Sequence, residues 1–442
     1  MRETAKTARE AALLSLTACE RQGAWSDNYL KRTIREAGLD SRDGGLASKL
    51  CYGVQQEQML LDWYLAQFSK LPLEKLEPKI RNCLRLGAYQ ILMLDRIPDA
   101  AAVDGSVSLA RKHAKNPKAA GMVNAILRNL IRGREELAPP TDLATRYSHP
   151  AWLVKEFDLA LKGRGTEALL AADNEAPPTM AQVNTVRYET GKVLNALRKA
   201  GVDAELHPWL PDCLLLSGTG DLERLDLFRD GAFYIQDAAA RLAVMTAAPK
   251  AGQKVLDACA APGGKTFAAA VLMEGQGEIW SCDIHPRKAG LIQTGAARLG
   301  FGTIVHTAVQ DGRERREDWL ERFDVVLADV PCSGLGIIRK KPDIRYKDPG
   351  PLSGLPPIQA AILENVSHYV APGGVLLYST CTLLRRENED IVSDFLDGHL
   401  DFTAEPFQAA GPIGPVESGM LTLWPHIHGT DGFFLAKLRR RA

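Results

Sequence analysis

The run Val255-Leu-Asp-Ala-Cys-Ala-Ala-Pro-Gly-Gly-Lys-Thr266 decides the fold of the C-terminal half. Its apolar start predicts a short strand that ends near Cys259, and the residues from Lys265 to Met273 have the apolar spacing of a helix. Between them, Gly263 and Gly264 allow the backbone to approach a ligand closely, and the N-terminus of the helix presents free N–H groups. The run therefore predicts a strand, a ligand-binding turn and a helix in succession.

The same alternation of strand and helix continues to the C-terminus. Apolar runs predict strands at residues 278–283, 303–306, 323–329 and 374–379, and helical spacing predicts helices at 286–299, 357–369 and 387–396. A glycine-containing loop joins a predicted hairpin, residues 420–424 and 432–438. This alternation is typical of a mostly parallel sheet with helices on both faces, which binds ligands at the carboxyl ends of its strands.

The N-terminal region has a different pattern. Up to about residue 135 the apolar residues recur at helical spacing and strand-like alternation is scarce, so this region is predicted to be a helical bundle. Two prolines in Leu137-Ala-Pro-Pro-Thr-Asp142 predict a linker. After it, predicted strands at 181–186 and 213–216 flank a predicted helix at 192–200, which indicates a small α+β segment.

Composition excludes several classes of protein. The chain has 54 basic and 54 acidic residues, so any nucleic-acid site must be a local patch and not a global charge excess. None of the eight cysteines forms a C-x-x-C pair, so we expect reduced thiols and no metal site. No apolar run approaches the ~18 residues of a membrane span, and the N-terminus lacks the apolar core of a signal peptide. We therefore expect a cytoplasmic protein with no membrane partner.

Three acidic residues follow predicted strands at the edge where the glycine turn lies. Asp283 ends the second strand and is placed to accept hydrogen bonds from ribose hydroxyls, Asp311 follows the third strand, and Asp329 ends the fourth. Each alone is more typical of a turn or a helix cap, but together with the glycine turn they predict a nucleoside pocket. A phosphate-binding P-loop is disfavoured, because Cys259 stands where that motif needs its first glycine, and the nicotinamide fingerprint G-x-G-x-x-G is absent.

Two cysteines follow neighbouring predicted strands. Cys332 lies in Asp329-Val-Pro-Cys-Ser-Gly-Leu-Gly336 and Cys381 in Ser379-Thr-Cys-Thr382, so both thiols should reach the edge that holds the pocket. A single cysteine is most often a small buried hydrophobe. A pair in one pocket instead indicates covalent catalysis by a thiolate, and geometry alone would allow either sulfur to attack.

These motifs resemble those of the RNA cytosine-5 methyltransferases, and the nearest subfamily is the bacterial ribosomal RNA methyltransferase B group. The matching runs are Cys259-Ala-Ala-Pro-Gly-Gly-Lys-Thr266, Asp329 to Gly336, Ile338 to Tyr346, Tyr378 to Thr382 and Asp431 to Lys437. The resemblance implies that Cys381 is the nucleophile and that Cys332 assists product release, with Asp329 as the third catalytic residue. It also implies that S-adenosylmethionine is held by Cys259, Ala260, Ala261, Pro262, Gly263, Gly264, Lys265, Asp283, Asp311 and Asp329.

The resemblance extends to the N-terminal region, which is similar to the NusB-type RNA-binding bundle through residues 84–98 and 123–129. It implies an all-α NusB-like domain at 1–136, a small α+β RNA-binding or linker segment at 147–230, and a Rossmann-like methyltransferase domain with a mostly parallel seven-stranded sheet at 231–442. One departure is Ala102-Val-Asp-Gly-Ser-Val107, where the family more often has Asn-Glu after the valine. It affects only the surface of the bundle.

A basic run follows the Cys332 motif and is a candidate RNA contact. Cations can neutralise phosphates while an aromatic ring stacks on a base, and an ordinary solvated loop is the alternative. The residues concerned are Arg339, Lys340, Lys341, Arg345 and Tyr346.

The resemblance implies methylation at carbon 5 of a cytidine in 16S ribosomal RNA by a monomeric enzyme. Methylation of another ribosomal site or of transfer RNA is the alternative. A binding module that has lost catalysis is disfavoured, because both cysteines and the three pocket acids are present.

Overall fold

The computed structural model describes residues 5–22 and 26–442. Its chain forms two compact units: the first unit is Met1–Ala176 with Ile338–Lys347, and the second unit is Pro177–Ile337 with Asp348–Ala442. This grouping places residues 147–176 with the N-terminal helices and adds the segment 338–347 to them, which differs from the boundaries expected from sequence. Across the described ranges, no helix is both long and apolar enough to cross a bilayer.

The first unit is helical, as predicted. Its helices are Ala8–Gln22 (α1), Ser26–Glu36 (α2), Ser41–Gln56 (α3), Gln58–Ala66 (α4), Pro78–Met93 (α5), Asp99–His113 (α6), Ala119–Arg132 (α7), Leu143–Arg146 (α8), Ala151–Ala160 (α9) and Thr166–Ala172 (α10). Helix α5 is buried along most of its length and packs against α1, α6 and α7, so it forms the centre of the bundle. It begins at Pro78, which suits the first turn of a helix because the missing N–H has no partner there.

The second unit contains two main sheets. Its strands are Thr179–Val183 (β1), Asp203–Leu206 (β2), Cys213–Ser217 (β3), Phe233–Ile235 (β4), Lys254–Asp257 (β5), Glu278–Asp283 (β6), Val305–Val309 (β7), Phe323–Asp329 (β8), Val370–Thr380 (β9), Phe402–Ala404 (β10), Phe407–Ala409 (β11), Gly414–Val416 (β12), Met420–Leu423 (β13) and Phe433–Arg440 (β14). Its helices are Thr190–Lys199 (α11), Asp226–Arg229 (α12), Ala238–Ala247 (α13), Gly264–Leu272 (α14), Pro286–Leu299 (α15), Leu355–Ser367 (α16), Glu389–Gly398 (α17) and Pro425–His428 (α18).

The smaller sheet is antiparallel, with strand order β2-β3-β1-β4. Strands β2 and β4 did not stand out in the sequence, because each is short. The larger sheet has the order β10-β14-β9-β8-β5-β6-β7, and the five strands from β9 to β7 are parallel. Its outer edge is shared by two short strands, because β10 pairs with residues 438–440 of β14 and β13 pairs with residues 433–436. The predicted Rossmann-like, mostly parallel sheet is confirmed, but it has eight strands and not the seven expected, because the short strand β13 also pairs with β14.

Helices cover both faces of the larger sheet. Alternate strand residues point to opposite faces, so Val255, Val325 and Leu377 pack with α13, α14 and α15 on one face. Leu256, Val326 and Leu376 pack with α16 and α17 on the other. Burial on both faces explains why these strands are continuous apolar runs in the sequence.

Arg345 is a buried structural anchor in the first unit. Its side chain is fully buried, and its Nη1 and Nη2 atoms donate hydrogen bonds of 2.8–3.3 Å to the main-chain carbonyls of Gln56, Tyr147, Ser148 and Asp173 and to Oδ1 of Asn174. The adjacent Tyr346 hydroxyl donates to the carbonyl of Ser148 at 3.0 Å. The segment 338–347 is therefore held by hydrogen bonds that a solvated loop would not make.

This burial corrects the predicted RNA contacts. The prediction for Arg345 is wrong, because its guanidinium is turned into the protein and not toward solvent. Arg339 is also buried, which removes it from the predicted RNA surface for the same reason. Lys340 and Tyr346 are half-buried and Lys341 is exposed, so for these three residues RNA contact stays a prediction.

We predict that Arg345→Ala destabilises the first unit by about 3–5 kcal/mol, because it leaves several buried carbonyls without a donor. Urea denaturation followed by circular dichroism would measure the change. Lys341→Ala, an exposed position in the same segment, is the matched control and should change stability by less than about 0.5 kcal/mol. Equal midpoints for the two variants would contradict the anchoring role.

Candidate active site

The carboxyl ends of the parallel strands open onto a cavity of about 400 Å³. Parallel pairing brings these ends to the same edge, and the register sets Asp329 of β8 opposite Ser379 of β9. The cavity is lined by Ala258, Cys259, Ala261, Asp283, Ile284, His285, Lys288, Gln310, Asp311, Gly312, Arg313, Asp329, Val330, Pro331, Cys332, Ile358, Ile362 and Cys381. A site of this size and mixed polarity is suited to a small organic ligand.

Asp283 and Asp311 both line the cavity, but they have different partners. Asp283 accepts a hydrogen bond from the main-chain N–H of His285 at 2.9 Å, and the Nζ atom of Lys288 lies 3.7 Å from its carboxylate. Asp311 accepts two-point hydrogen bonds from Arg313, and these hydrogen bonds are the main cause of the lowered pKa of its carboxyl group. Asp283 therefore offers the freer carboxylate to a ligand.

The glycine turn is shaped by a steric constraint at Gly263. Its φ of +113° lies in the region that favours glycine, and a Cβ atom there would come within 2.6 Å of the Phe267 ring. The turn leads into α14, whose first residues include Lys265. Of the predicted cofactor-binding turn, Cys259 and Ala261 line the cavity, whereas Ala260, Pro262, Gly263, Gly264 and Lys265 do not.

Lys265 lies behind this wall and is paired with Asp329. Its Nζ atom donates to one carboxylate oxygen at 2.6 Å, while the Ser379 hydroxyl donates to the other at 2.8 Å. Burial by itself lowers the pKa of Lys265, but the negative charge of Asp329 and smaller effects of Asp257 and Cys381 raise it above its usual value. A cation is thus held close to the Cys381 thiol.

Asp257, at the end of β5, is a buried carboxyl group that the sequence did not single out as a site residue. The Thr266 hydroxyl donates to its Oδ2 atom at 2.8 Å, and its Oδ1 atom has no hydrogen-bond partner. Burial raises the pKa of Asp257 to about 7. Its carboxyl group is therefore partly protonated near neutral pH, next to the Lys265 ammonium.

The two predicted cysteines meet at the cavity. The Sγ atoms of Cys332 and Cys381 lie 3.3 Å apart, and both thiols are free of disulfide bonds. The main-chain N–H of Gly336 donates to the carbonyl of Cys381 at 2.9 Å, which ties the two cysteine loops together. The hydrogen bond with Cys381, then burial and the nearby negative charges, hold the pKa of Cys332 well above its usual range.

Known proteins match nearly the whole chain. Three family models match in series: the NusB family at residues 6–132, the RsmF/B-like ferredoxin-like domain at 149–223, and the 16S rRNA methyltransferase RsmB/F at 244–439. A Bacillus subtilis protein named probable ribosomal RNA small subunit methyltransferase B is 36% identical, with 98% of each chain covered. Ribosomal RNA small subunit methyltransferase B of Klebsiella pneumoniae is 32% identical, with 91% of each chain covered.

The chain belongs to the ribosomal RNA small subunit methyltransferase B family. It is an RNA methyltransferase, as predicted from the sequence. The crystal structure of PH0851 agrees with the fold, since it covers 99% of this chain and 100% of its own with a TM-score of 0.82 at 25% identity.

We predict that the stability of this methyltransferase falls between about pH 4 and pH 7 through Asp257. A folded-state pKa near 7, raised from about 4, means that folding favours the protonated form, so stabilisation is complete at low pH and is lost as the pH rises through 7. Asp257→Asn, neutral at every pH, should remove about 2–3 kcal/mol of the loss between pH 5 and pH 7.5.

Denaturation at these two pH values would test this assignment. The exposed Asp394→Asn is the matched control and should keep the pH dependence of the wild type. If Asp257→Asn also keeps it, Asp257 is not the group that titrates.

Proposed function

We propose that this enzyme transfers a methyl group from S-adenosylmethionine to carbon 5 of a cytidine in 16S ribosomal RNA, with Cys381 as a covalent nucleophile. The observation that carries the proposal is the pair of thiols at the ends of β8 and β9, 3.3 Å apart and open to the cavity that contains Asp283. One sulfur is needed to attack the base and the other to assist its release.

The cavity has features that fit S-adenosylmethionine. It is bordered by Gly312, where a Cβ atom would come within 3.2 Å of the Ile362 side chain, so the absence of a side chain keeps this wall open. The Asp283 carboxylate is available to ribose hydroxyls, and Cys259, Ala261, Asp311 and Asp329, which line the same cavity, would hold the cofactor with it. The other residues of the 259–265 turn would shape this wall of the cavity without lining it. When bound there, S-adenosylmethionine supplies an electrophilic methyl group.

Cys381 makes carbon 5 of the base reactive. Its thiolate adds to carbon 6 of cytosine, and the electron pair of the C5–C6 double bond then moves into the ring so that carbon 5 becomes nucleophilic. The Lys265 ammonium is held close to this sulfur by its ion pair with Asp329. The Asp329 carboxylate, oriented by Lys265 and Ser379, is placed to accept a hydrogen bond from the amine of the base and so fix its position.

Cys332 acts after carbon 5 is methylated. The proton on carbon 5 must leave and the bond from Sγ of Cys381 to carbon 6 must break, which restores the C5–C6 double bond. Cys332 gives its own proton to the departing sulfur of Cys381 and takes the carbon 5 proton in exchange. The high pKa of the Cys332 thiol supports this role, because the thiol is protonated when release begins.

Ribosomal RNA is the proposed substrate because the relatives are named for it and because the N-terminal helices match the NusB family. The target base must be unstacked from its neighbours to enter a cavity of this kind, so we propose a looped-out cytidine. Lys340, Lys341 and Tyr346 are the proposed contacts to the RNA, and the cytoplasm is the proposed compartment.

We predict that Asp283→Ala weakens S-adenosylmethionine binding by about 1–3 kcal/mol, because ribose hydroxyls lose their acceptor. Isothermal titration calorimetry with the full chain measures the affinity. Asp394→Asn serves as the control with unchanged affinity. Unchanged affinity in Asp283→Ala would reject its role in binding ribose.

The function itself is tested with 16S ribosomal RNA, labelled S-adenosylmethionine and the two cysteine variants. The wild type should introduce label that bisulfite sequencing locates at one cytidine. Cys381→Ala should abolish both the methyl group and any covalent RNA adduct. Cys332→Ala should still attack and methylate but stay bonded to the RNA, which gives a slow band in denaturing electrophoresis.

Each contrary outcome has a distinct meaning. A slow band in Cys381→Ala but not in Cys332→Ala would reverse the roles of the two sulfurs. Methylation unaffected by either change would rule out the covalent mechanism. Label on transfer RNA but not on 16S ribosomal RNA would replace the proposed substrate.

A further inference from the structure

A fully buried carboxylate, Glu387, lies behind the two cysteines and has no part in the mechanism above. It ends the short helical turn Arg385–Glu387 that follows the Cys381 loop. A buried charge is costly unless hydrogen bonds satisfy it, so its partners indicate what it does.

The partners of Glu387 hold the chain on both sides of Cys332. Its Oε2 atom accepts a hydrogen bond from the main-chain N–H of Ser333 at 2.9 Å and another from Nε2 of Gln359 at 2.9 Å. The same Gln359 nitrogen donates to the carbonyl of Pro331 at 3.0 Å. The residues that precede and follow Cys332 are thus fixed by one carboxylate and its neighbouring amide.

The next residue, Asn388, does the same for Cys381. Its Nδ2 atom donates to the carbonyl of Thr382 at 3.0 Å, and its Oδ1 atom accepts from the Thr380 hydroxyl at 2.5 Å. The hydroxyls of Ser333 and Thr382 are hydrogen-bonded to each other at 2.7 Å. Glu387 and Asn388 therefore hold the two cysteine loops from adjacent positions in the chain.

The surroundings of the two thiols differ in charge. Cys332 faces titratable groups from three places: Asp329 at the end of β8, Tyr378 on β9, and Cys381 and Glu387 in the chain after β9. Lys265, a cation behind the cavity wall, faces Asp329 and Cys381. The partners of the Glu387 side chain are neutral donors, and the charge of Glu387 is one of the causes that raise the pKa of Cys332.

We propose that Glu387 is the positioning residue that fixes the Cys332 loop against the Cys381 loop and keeps the shared proton of the pair on Cys332. This inference rests on the proposed two-thiol mechanism. A negative charge beside Cys332 and a positive charge beside Cys381 give the two sulfurs different electrostatic surroundings. They also leave a proton on Cys332, ready to be given to the departing sulfur during release.

The first test measures how the reactivity of Cys332 depends on pH, in variants that lack the proposed nucleophile. Full-length Cys381→Ala and Cys381→Ala/Glu387→Gln are alkylated with iodoacetamide from pH 6 to pH 10, and the Cys332 peptide is quantified by mass spectrometry. Removing the charge should move the alkylation profile to lower pH and speed the reaction at pH 8 about three- to tenfold. Glu389→Gln in the same background is the matched control, because Glu389 is partly exposed and contacts Thr422.

The second test measures product release in an enzyme that keeps both cysteines. Glu387→Gln should lower kcat about tenfold or more, leave KM for the RNA unchanged, and accumulate the slow covalent band. Gln359→Met, which removes a hydrogen bond to the Cys332 loop and keeps the charge, should slow release without moving the alkylation profile. It also supplies the kcat and KM readout if Glu387→Gln does not fold.

The proposal is overturned if Glu387→Gln behaves like Glu389→Gln in both tests, or if Gln359→Met leaves release unchanged. The alkylation profile separates this proposal from the function on which it rests. If the wild type forms no methylated cytidine, the proposed reaction is rejected. If the alkylation profile of the Glu387 variant is nevertheless shifted, the proposed effect of the Glu387 charge on Cys332 still stands.

Discussion

The ion pair between Lys265 and Asp329 is the interaction on which the site depends. It joins the first turn of α14 to the end of β8, and the Ser379 hydroxyl adds β9 through the second carboxylate oxygen. Each partner is a charge that would be costly to bury alone. Because Asp329 and Ser379 lie at the carboxyl ends of adjacent parallel strands and Lys265 lies in the first turn of α14, the pair fixes the glycine turn and both cysteine loops relative to one another. The position of the nucleophile is thus a consequence of strand register.

Charge then distinguishes two sulfur atoms that geometry leaves nearly equivalent. Cys332 and Cys381 follow neighbouring strands, line the same cavity and contact each other. One faces the Lys265 cation and the other faces the Glu387 carboxylate, so the two sulfurs stand in different electrostatic surroundings. Electrostatic asymmetry of this kind costs little reorganisation, because the charges are held by hydrogen bonds before any substrate enters.

The sequence indicated the parts of this fold that depend on local pattern. Strands β6 and β8 and helix α15 have the predicted bounds, since apolar runs buried on both faces are distinctive. Strand β10 pairs with β14 through only three residues and gave no signal. Arg345 was predicted to meet RNA because it stands in a basic run, and only the carbonyls that surround it explain its burial. Glu387 was not predicted as a site residue either, because it stands within a run of charged residues and its burial depends on contacts that the local sequence does not show.

The segment 338–347 belongs to the first unit although it lies within the sequence of the second unit. The chain leaves the second unit after Ile337, contributes Arg345 to the first unit, and returns to the second unit at Asp348. The carbonyls of Tyr147, Ser148 and Asp173 therefore remain without this donor until residues far along the chain have been made. Buried carbonyls that lack a donor are unfavourable, so the first unit cannot reach its full stability as an isolated N-terminal fragment. The Cys332 loop directly precedes this segment in the chain. One continuous stretch of sequence therefore supplies both the catalytic loop and the last segment of the first unit.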